Sequence, residues 1–356
     1  MRIPKFKLYR MGSDPEALFV KPVDFDFIIT PAYAIMGQDK KKTTSSFIGT
    51  DNRPVIAEIR PNPSRNLKRH LYEIAYAVCS MQDYLDNSPK WNGLKLIAYP
   101  HLLNENLGGH IHASMFLNDP LYLKAETDGY TLGASGSILA QIPGREPGGR
   151  NRDLESEVHS ALNSYAVYTP YYWGQTMNHL LGPFERWVQP WVAREARNAH
   201  YGSETGMDVV RLGTSKPPFV KHGYAYVHWE YRLPSTWLQH PWLAYAYLGL
   251  AKLTLLNMER VATVWARDYP FGKKGVQPTG EAPLSAPTQF TVLSPGDPYK
   301  AGTLLKQRLA ELDTPKLRVS RDLAHLKTAV ENCATSRGRW FAKPQPIDID
   351  AWRKML

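Results

Sequence analysis

The stretch "GGHIHASMF" (residues 108–116) decides how this chain is read. In an extended strand alternate side chains share a face. His110, His112 and Ser114 then point one way, and Ile111, Ala113 and Met115 the other. One face suits a core. The other carries two imidazoles and requires partners on neighbouring strands.

The same alternation recurs. In "VIAEIRP" (55–61) Glu58 and Arg60 share a face; in "YVHWEYR" (226–232) His228, Glu230 and Arg232 do. Near the N-terminus "GSDPEALFV" (12–20) sets Asp14 and Glu16 before an apolar run. Strands are expected over 54–61, 94–99, 110–116 and 223–234. Between them Ser64 is expected to cap a helix whose Leu67, Leu71, Ile74, Val78, Met81 and Leu85 form one stripe. Another helix is expected to start at about Pro241. Strands mixed with helices indicate α+β: an antiparallel sheet with helices packed on its outer face.

The chain has 356 residues, 43% hydrophobic and 21% charged, a balance suited to a folded core and not to disorder. No apolar run reaches membrane-spanning length, and "MRIPKFKLYR" lacks the apolar segment of a secretory signal. Cys79 and Cys333 form no CxxC pair, so a disulfide framework or zinc knuckle is not expected and a reducing cytoplasm is. The net charge of +10 is spread along the chain, with "DKKKT" (39–43) the only tight run. That dispersal makes nucleic acid the less favoured partner.

Two Gly- and Pro-rich stretches, 133–153 and 268–299, punctuate the chain as loops. The expected division is a catalytic domain over 1–267, a linker over 268–299 and a helical C-terminal extension over 300–356. In that extension Leu304, Leu305, Leu309 and Leu312, then Leu323, Leu326 and Val330, keep helical spacing. Trp173, Trp187, Trp191, Trp237 and Trp242 are expected to fill core and helix contacts.

A sheet face lined with carboxylates, imidazoles and guanidinium groups cannot be a dry core, because unpaired buried charge is costly. Mutual pairing around a multiply charged ligand resolves this. Glutamates with a histidine suit Mg²⁺ or Mn²⁺; arginines beside them suit phosphate. Together these are components of phosphoryl transfer. No Walker-type or kinase motif set is present.

Five motifs in order, "GSDPE" (12–16), "IGTDNRPVIAEIRPNPS" (48–64), "GGHIHAS" (108–114), "HYGSETGMDVVR" (200–211) and "HWEYRLPSTWL" (228–238), resemble the carboxylate–amine ligases of the glutamine synthetase and glutamate–cysteine ligase superfamily. The likeness is greatest to the phage-encoded COOH–NH2 ligase type 2 group and covers roughly residues 10–260. The resemblance implies a funnel built on the antiparallel sheet, ATP and divalent cations as cofactors, and amide formation through an acyl phosphate. The partners it implies are a carboxylate substrate and an amine acceptor. By motif, Glu16, Glu58, His110 and Glu230 are expected metal ligands and His112 a phosphate neighbour. Arg232 is expected to stabilise the transferring phosphoryl group and Arg60 to hold carboxylate or phosphate. Arg211 and Arg197 are the weaker phosphate or substrate candidates. Gly108 and Gly109 are expected to admit the nucleotide to the backbone. Where relatives carry "GTDGHP", this chain has "GTDNRP", with Asn52 and Arg53 in place of a glycine and a histidine and Asp51 expected to contact substrate. Two alternatives stand beside the ligase: a guanidino or nitrogen phosphotransferase on the same fold, and a catalytically idle nucleic-acid- or protein-binding relative.

Overall fold

The computed structural model describes residues 6–23, 26–36, 48–117 (apart from 52 and 103–104), 130–132, 138–141, 176–190, 210–212, 219–221, 224–257, 261, 298–312 and 320–356. Most of the two loop stretches, the "DKKKT" run, Arg197, Asn52, Trp173 and Trp191 lie outside the described residues.

The strands are β1 (Phe6–Val23), β2 (Asp26–Thr30), β3 (Ile48–Thr50), β4 (Ile56–Ile59), β5 (Lys95–Ile97), β6 (His101–Leu102), β7 (Glu105–Asn106), β8 (Gly109–Leu117), β9 (Tyr130–Leu132), β10 (Ile138–Gln141), β11 (Val210–Leu212), β12 (Phe219–Lys221) and β13 (Tyr224–Tyr231). Nine of them form one sheet in the order β11-β13-β8-β1-β4-β3, with β12 on β13 and with β2 and β5 on β1. Every pairing is antiparallel. The fold is α+β, as the alternation implied.

β1 organises this sheet. Its first half, through Pro15, pairs with β8; from Glu16 onward it pairs with β4, β5 and β2. Pro15 has no N–H to give a ladder, and it sits where one set of partners hands over to the other. Odd-numbered Met11, Ala17 and Phe19 join the main core with Leu71, Ile74 and Val78. Even-numbered positions face the other way. Gly12, Asp14 and Glu16 carry the polar end, and Leu18 and Val20 close the other end with Ile56, Ile97, Leu102 and Leu107. A single strand face therefore turns from polar to apolar between Glu16 and Leu18.

Seven helices lie among the described residues: α1 (Ala32–Met36), α2 (Leu67–Asn87), α3 (176–188), α4 (Pro241–Leu256), α5 (Pro298–Leu312), α6 (Ser320–Phe341) and α7 (Ile349–Arg353). The cap of α2 is Asn66, whose side chain accepts from the Lys68 and Arg69 N–H groups. Ser64, the expected cap, is used otherwise: its Oγ accepts from Asn66 N and its backbone bridges Met11. α4 begins with Pro241 behind a His240 cap. Trp237 is fully buried as expected, but Trp242 stands 47% exposed on the outer side of α4.

The C-terminal helices share the core of the sheet. Leu305, Leu309, Leu326, Trp340 and Trp352 belong to the same apolar cluster as Ala17 and Leu71. Ile347 N donates to Leu96 O at 2.8 Å, and the Trp352 indole donates to Leu238 O at 2.9 Å. The amphipathic leucine pattern of 300–356 is thus spent against α4, where Leu326 would lie 2.6 Å from a Cβ placed on Gly249.

The glycine pair has a structural role that differs from its expected one. A Cβ on Gly109 would meet the Trp237 indole at 2.5 Å and the Ser235 carbonyl oxygen at 2.6 Å. Gly109 N donates to Pro234 O, and the Trp237 indole donates to Gly109 O at 3.0 Å. Its bare Cα admits a tryptophan, not a nucleotide. Gly109→Ala should therefore cost about 2–3 kcal/mol by overpacking, read as a lower urea midpoint at unchanged slope.

Candidate metal and phosphate site

Register assembles the site. Across the sheet, Asp14 pairs with His110 and Gly12 with His112. His112 also pairs with Glu230, and Glu230 with Arg211. Glu16 pairs with Glu58, and Glu58 with Gly49. Directly opposed residues share a face, so these rungs set all of these positions on the face away from the main core.

The side chains then converge. His112 Nε2 lies 2.7 Å from Asp14 Oδ2. His110 Nδ1 lies 3.5 Å from Asp14 Oδ1 and 3.4 Å from Glu230 Oε1. Arg232 Nε lies 3.4 Å from the same Glu230 oxygen. Arg60 pairs with the Glu58 carboxylate and donates to Thr50 O at 2.9 Å. Gly49 makes room for that guanidinium, since a Cβ there would lie 2.6 Å from Arg60 Nη1. Glu58 and His110 are buried, while Asp14, His112, Glu230 and the two arginines are half-buried.

Among the described residues, two groups of donor atoms have a spacing that could hold a cation: Asp14, Glu58 and His110; and Asp14, His112 and Glu230. Within each group the ligand atoms lie within 4.8 Å of one another. Asp14 belongs to both, with one oxygen toward each imidazole. Its Oδ1 is buried and accepts no hydrogen bond from the described residues. A mixed carboxylate–imidazole set with a buried, unsatisfied carboxylate oxygen fits a divalent cation such as Mg²⁺ or Mn²⁺.

Three placements bear on the expected site residues. Glu58, His110, Glu230, His112, Arg60 and Arg232 come together. Glu16 lies on the same face but belongs to neither group, and its carboxylate accepts the Gly108 N–H. Arg211 is positioned by its backbone opposite Glu230. Asp14, shared by both groups, was not among the ligands expected from sequence. The signal was present in the step of two from Gly12 to Asp14 to Glu16, but Pro15 hid the strand. At the "GTDNRP" corner, Arg53 pairs with Glu105 at 3.0 Å, and the charge of Asp51 is felt at Glu58.

Charge in the site is polarised. Burial pushes the Asp14 carboxyl up, but the two histidines and hydrogen bonds from His112 and Glu58 outweigh it and hold Asp14 well below the carboxylate range. Burial and the Asp14 charge push Glu58 up to about 9 against the pull of Arg60. The two acids hold one proton between them, on the Glu58 side.

Beneath the sheet, on the opposite face of β1, Ser13 and His70 meet at 2.9 Å. His70 Nδ1 lies 3.0 Å from Asn62 O, which can only accept, so Nδ1 carries the proton and Nε2 accepts from the Ser13 hydroxyl. Burial lowers the His70 pKa to about 4, so the ring is neutral in the fold. In the unfolded chain His70 takes up its proton at a higher pH, near 6.5. Its contribution to stability is therefore complete above that pH and falls as pH drops toward 4, by about 2–3 kcal/mol at pH 4.5. Urea unfolding of wild type and His70→Gln at pH 7.5 and 4.5 isolates this loss from the opposite change that Glu58 makes over the same range: the variant should lose less stability on acidification.

No protein-family model and no curated protein sequence matches the chain. Among solved structures, a bifunctional glutathione synthetase from Pasteurella multocida is similar at a TM-score of 0.41 and 13% identity, over 94% of this chain and 48% of that one. This chain spans about half the length of that structure. No helix among the described residues is long and apolar enough to cross a membrane.

Proposed function

We propose that the chain is an ATP-dependent carboxylate–amine ligase, with the polar face of the sheet as the floor of a glutamine synthetase-like funnel. The observation that carries this reading is the convergence of Asp14, Glu58, His110, His112 and Glu230 into two overlapping cation sites flanked by Arg60 and Arg232. Divalent cations bound there would neutralise phosphate oxygens during transfer.

The chain's own residues supply the rest. Arg60 is anchored by Thr50 O and Glu58, so its planar donor fork is fixed before an anion arrives. Arg232 is steadied by Glu230 and would face the charge that builds on the transferring phosphoryl group. Both act beside buried Glu58 and His110, where reduced solvent makes preorganised charge more effective. His112 hydrogen-bonds Asp14 and keeps that carboxylate ionised. A carboxylate substrate would take the terminal phosphoryl group of ATP as an acyl phosphate. An amine would then attack the acyl carbon and expel inorganic phosphate, leaving an amide.

The test is phosphate release from ATP and Mg²⁺ with panels of carboxylates, amines and cell extract. Release that requires both a carboxylate and an amine supports the ligase. A phosphorylated product that persists without any amine, seen by mass spectrometry, marks a phosphotransferase instead. No ATP binding and no release with any pair would remove the assignment.

A further inference from the structure

The polar face continues one rung past the cation sites. Along β1 it runs from Asp14 through Gly12 to Arg10, and Arg10 pairs with Ser114, which pairs with His228. From the other side, Ser64 is bridged to Met11 through two backbone hydrogen bonds. That bridge seats Pro63 on Gly12 and places the next residue, Arg65, on the Arg10 side. Arg10 and Arg65 are both exposed. The bridge thus sets two arginine positions opposite one another, one rung from a cluster of metal-binding groups.

Gly12 is the second observation. A Cβ there would make ordinary contacts only, 3.5 Å from His112 Cβ and 3.5 Å from Pro63 Cγ. Packing does not require the glycine, in contrast to Gly109. The space over Gly12, bordered by His112 and Pro63, leads from the second cation group toward Arg10 on the face where the ligand would lie.

We infer that Arg10 and Arg65 form a subsite for a second anionic group of the substrate, seated at the Arg10 rung, about 7 Å along the strand from the Gly12–His112–Glu230 rung of the second cation group. The inference rests on the reading of Asp14, His112 and Glu230 as a cation site. A spacing of this size suits either the inner phosphates of a nucleoside triphosphate whose terminal phosphate is at the metals, or the remote carboxylate of a dicarboxylate. Both are anions that a guanidinium pair binds in the same way.

Isothermal titration of the full-length protein in Mn²⁺ separates the sources. The probes are ATP, AMP, inorganic tripolyphosphate, glutarate and butyrate. For the double substitution Arg10→Gln with Arg65→Gln, we expect at least a tenfold loss for ATP and tripolyphosphate, with AMP and Mn²⁺ itself unchanged. A loss confined to glutarate, with butyrate unchanged, assigns the subsite to the carboxylate substrate. Gly12→Ala should keep the wild-type melting temperature and weaken the same probe at least threefold. Wild-type affinities for every probe in the double variant would overturn the subsite, as would a wild-type protein that binds neither tripolyphosphate nor glutarate. Failure of the wild type to bind ATP while it still binds glutarate through Arg10 and Arg65 would count against the ligase and for the subsite.

Discussion

Asp14→Asn should lower carboxylate- and amine-dependent phosphate release by about 10²–10³-fold and Mn²⁺ affinity by about a hundredfold, while the far-ultraviolet circular dichroism stays unchanged. Asp14 gives one oxygen toward His110 and the other toward His112, and it belongs to both donor groups. An asparagine replaces one of those oxygens with an N–H donor, which cannot ligate a cation, and removes the negative charge from both groups at once. Glu16→Gln is the informative contrast. Glu16 lies two residues away on the same strand face, but its carboxylate accepts the Gly108 N–H. A glutamine can still accept there, so the expected effect is about 1 kcal/mol of stability and unaltered Mn²⁺ affinity. Equal loss of Mn²⁺ binding in both variants would contradict the division of labour between these acids.

Mn²⁺ affinity should rise with pH, close to tenfold per unit up to about 9, because a cation must displace the proton held on Glu58. Below that value binding releases the Glu58 proton; above it that proton is already gone and the slope flattens. In the metal-free protein the sign is opposite for stability. Glu58 binds its proton more tightly folded than unfolded, so its contribution is complete at acid pH, below the unfolded value, and is lost as pH rises through about 9. Titrations at pH 6.5, 7.5 and 8.5 in buffers of different ionisation enthalpy count the protons directly. Glu58→Gln should lower the slope without abolishing it, because His110 and His112 must also be unprotonated to bind the ion. A slope unchanged in that variant would place the proton elsewhere.

What the sequence revealed of this site follows from strand periodicity. The step of two in β8, β13 and β4 is enough to put His110, His112, Glu230 and Glu58 on one side, because each lies among apolar neighbours that fix the other side as core. β1 escaped because a proline in mid-strand argues against a strand. Only pairing with different partners on either side of Pro15 makes it tolerable, and pairing is a long-range fact. Which of Asp14 and Glu16 falls into a donor group is a long-range fact of the same kind, since the Glu16 carboxylate accepts the N–H of Gly108, more than ninety residues away. Ser64 was misread for a similar reason: its backbone hydrogen bonds go to a strand more than fifty residues away, while its Oγ accepts from Asn66 N. The leucines of 300–356 announced helices, but nothing local says that their apolar side is completed by α4 and by Ala17 of β1.

The handover at Pro15 has a thermodynamic consequence. Donor groups from β1, β4, β8 and β13 meet only when both halves of β1 have found their separate partners, so the unfolded chain offers a cation nothing comparable. Binding is then linked to the closed sheet by mass action, and saturation at a hundred times the dissociation constant should deepen the folded well by about 2.7 kcal/mol. The melting temperature measured against Mn²⁺ concentration would report the integrity of the whole architecture, with the ion acting as its clasp.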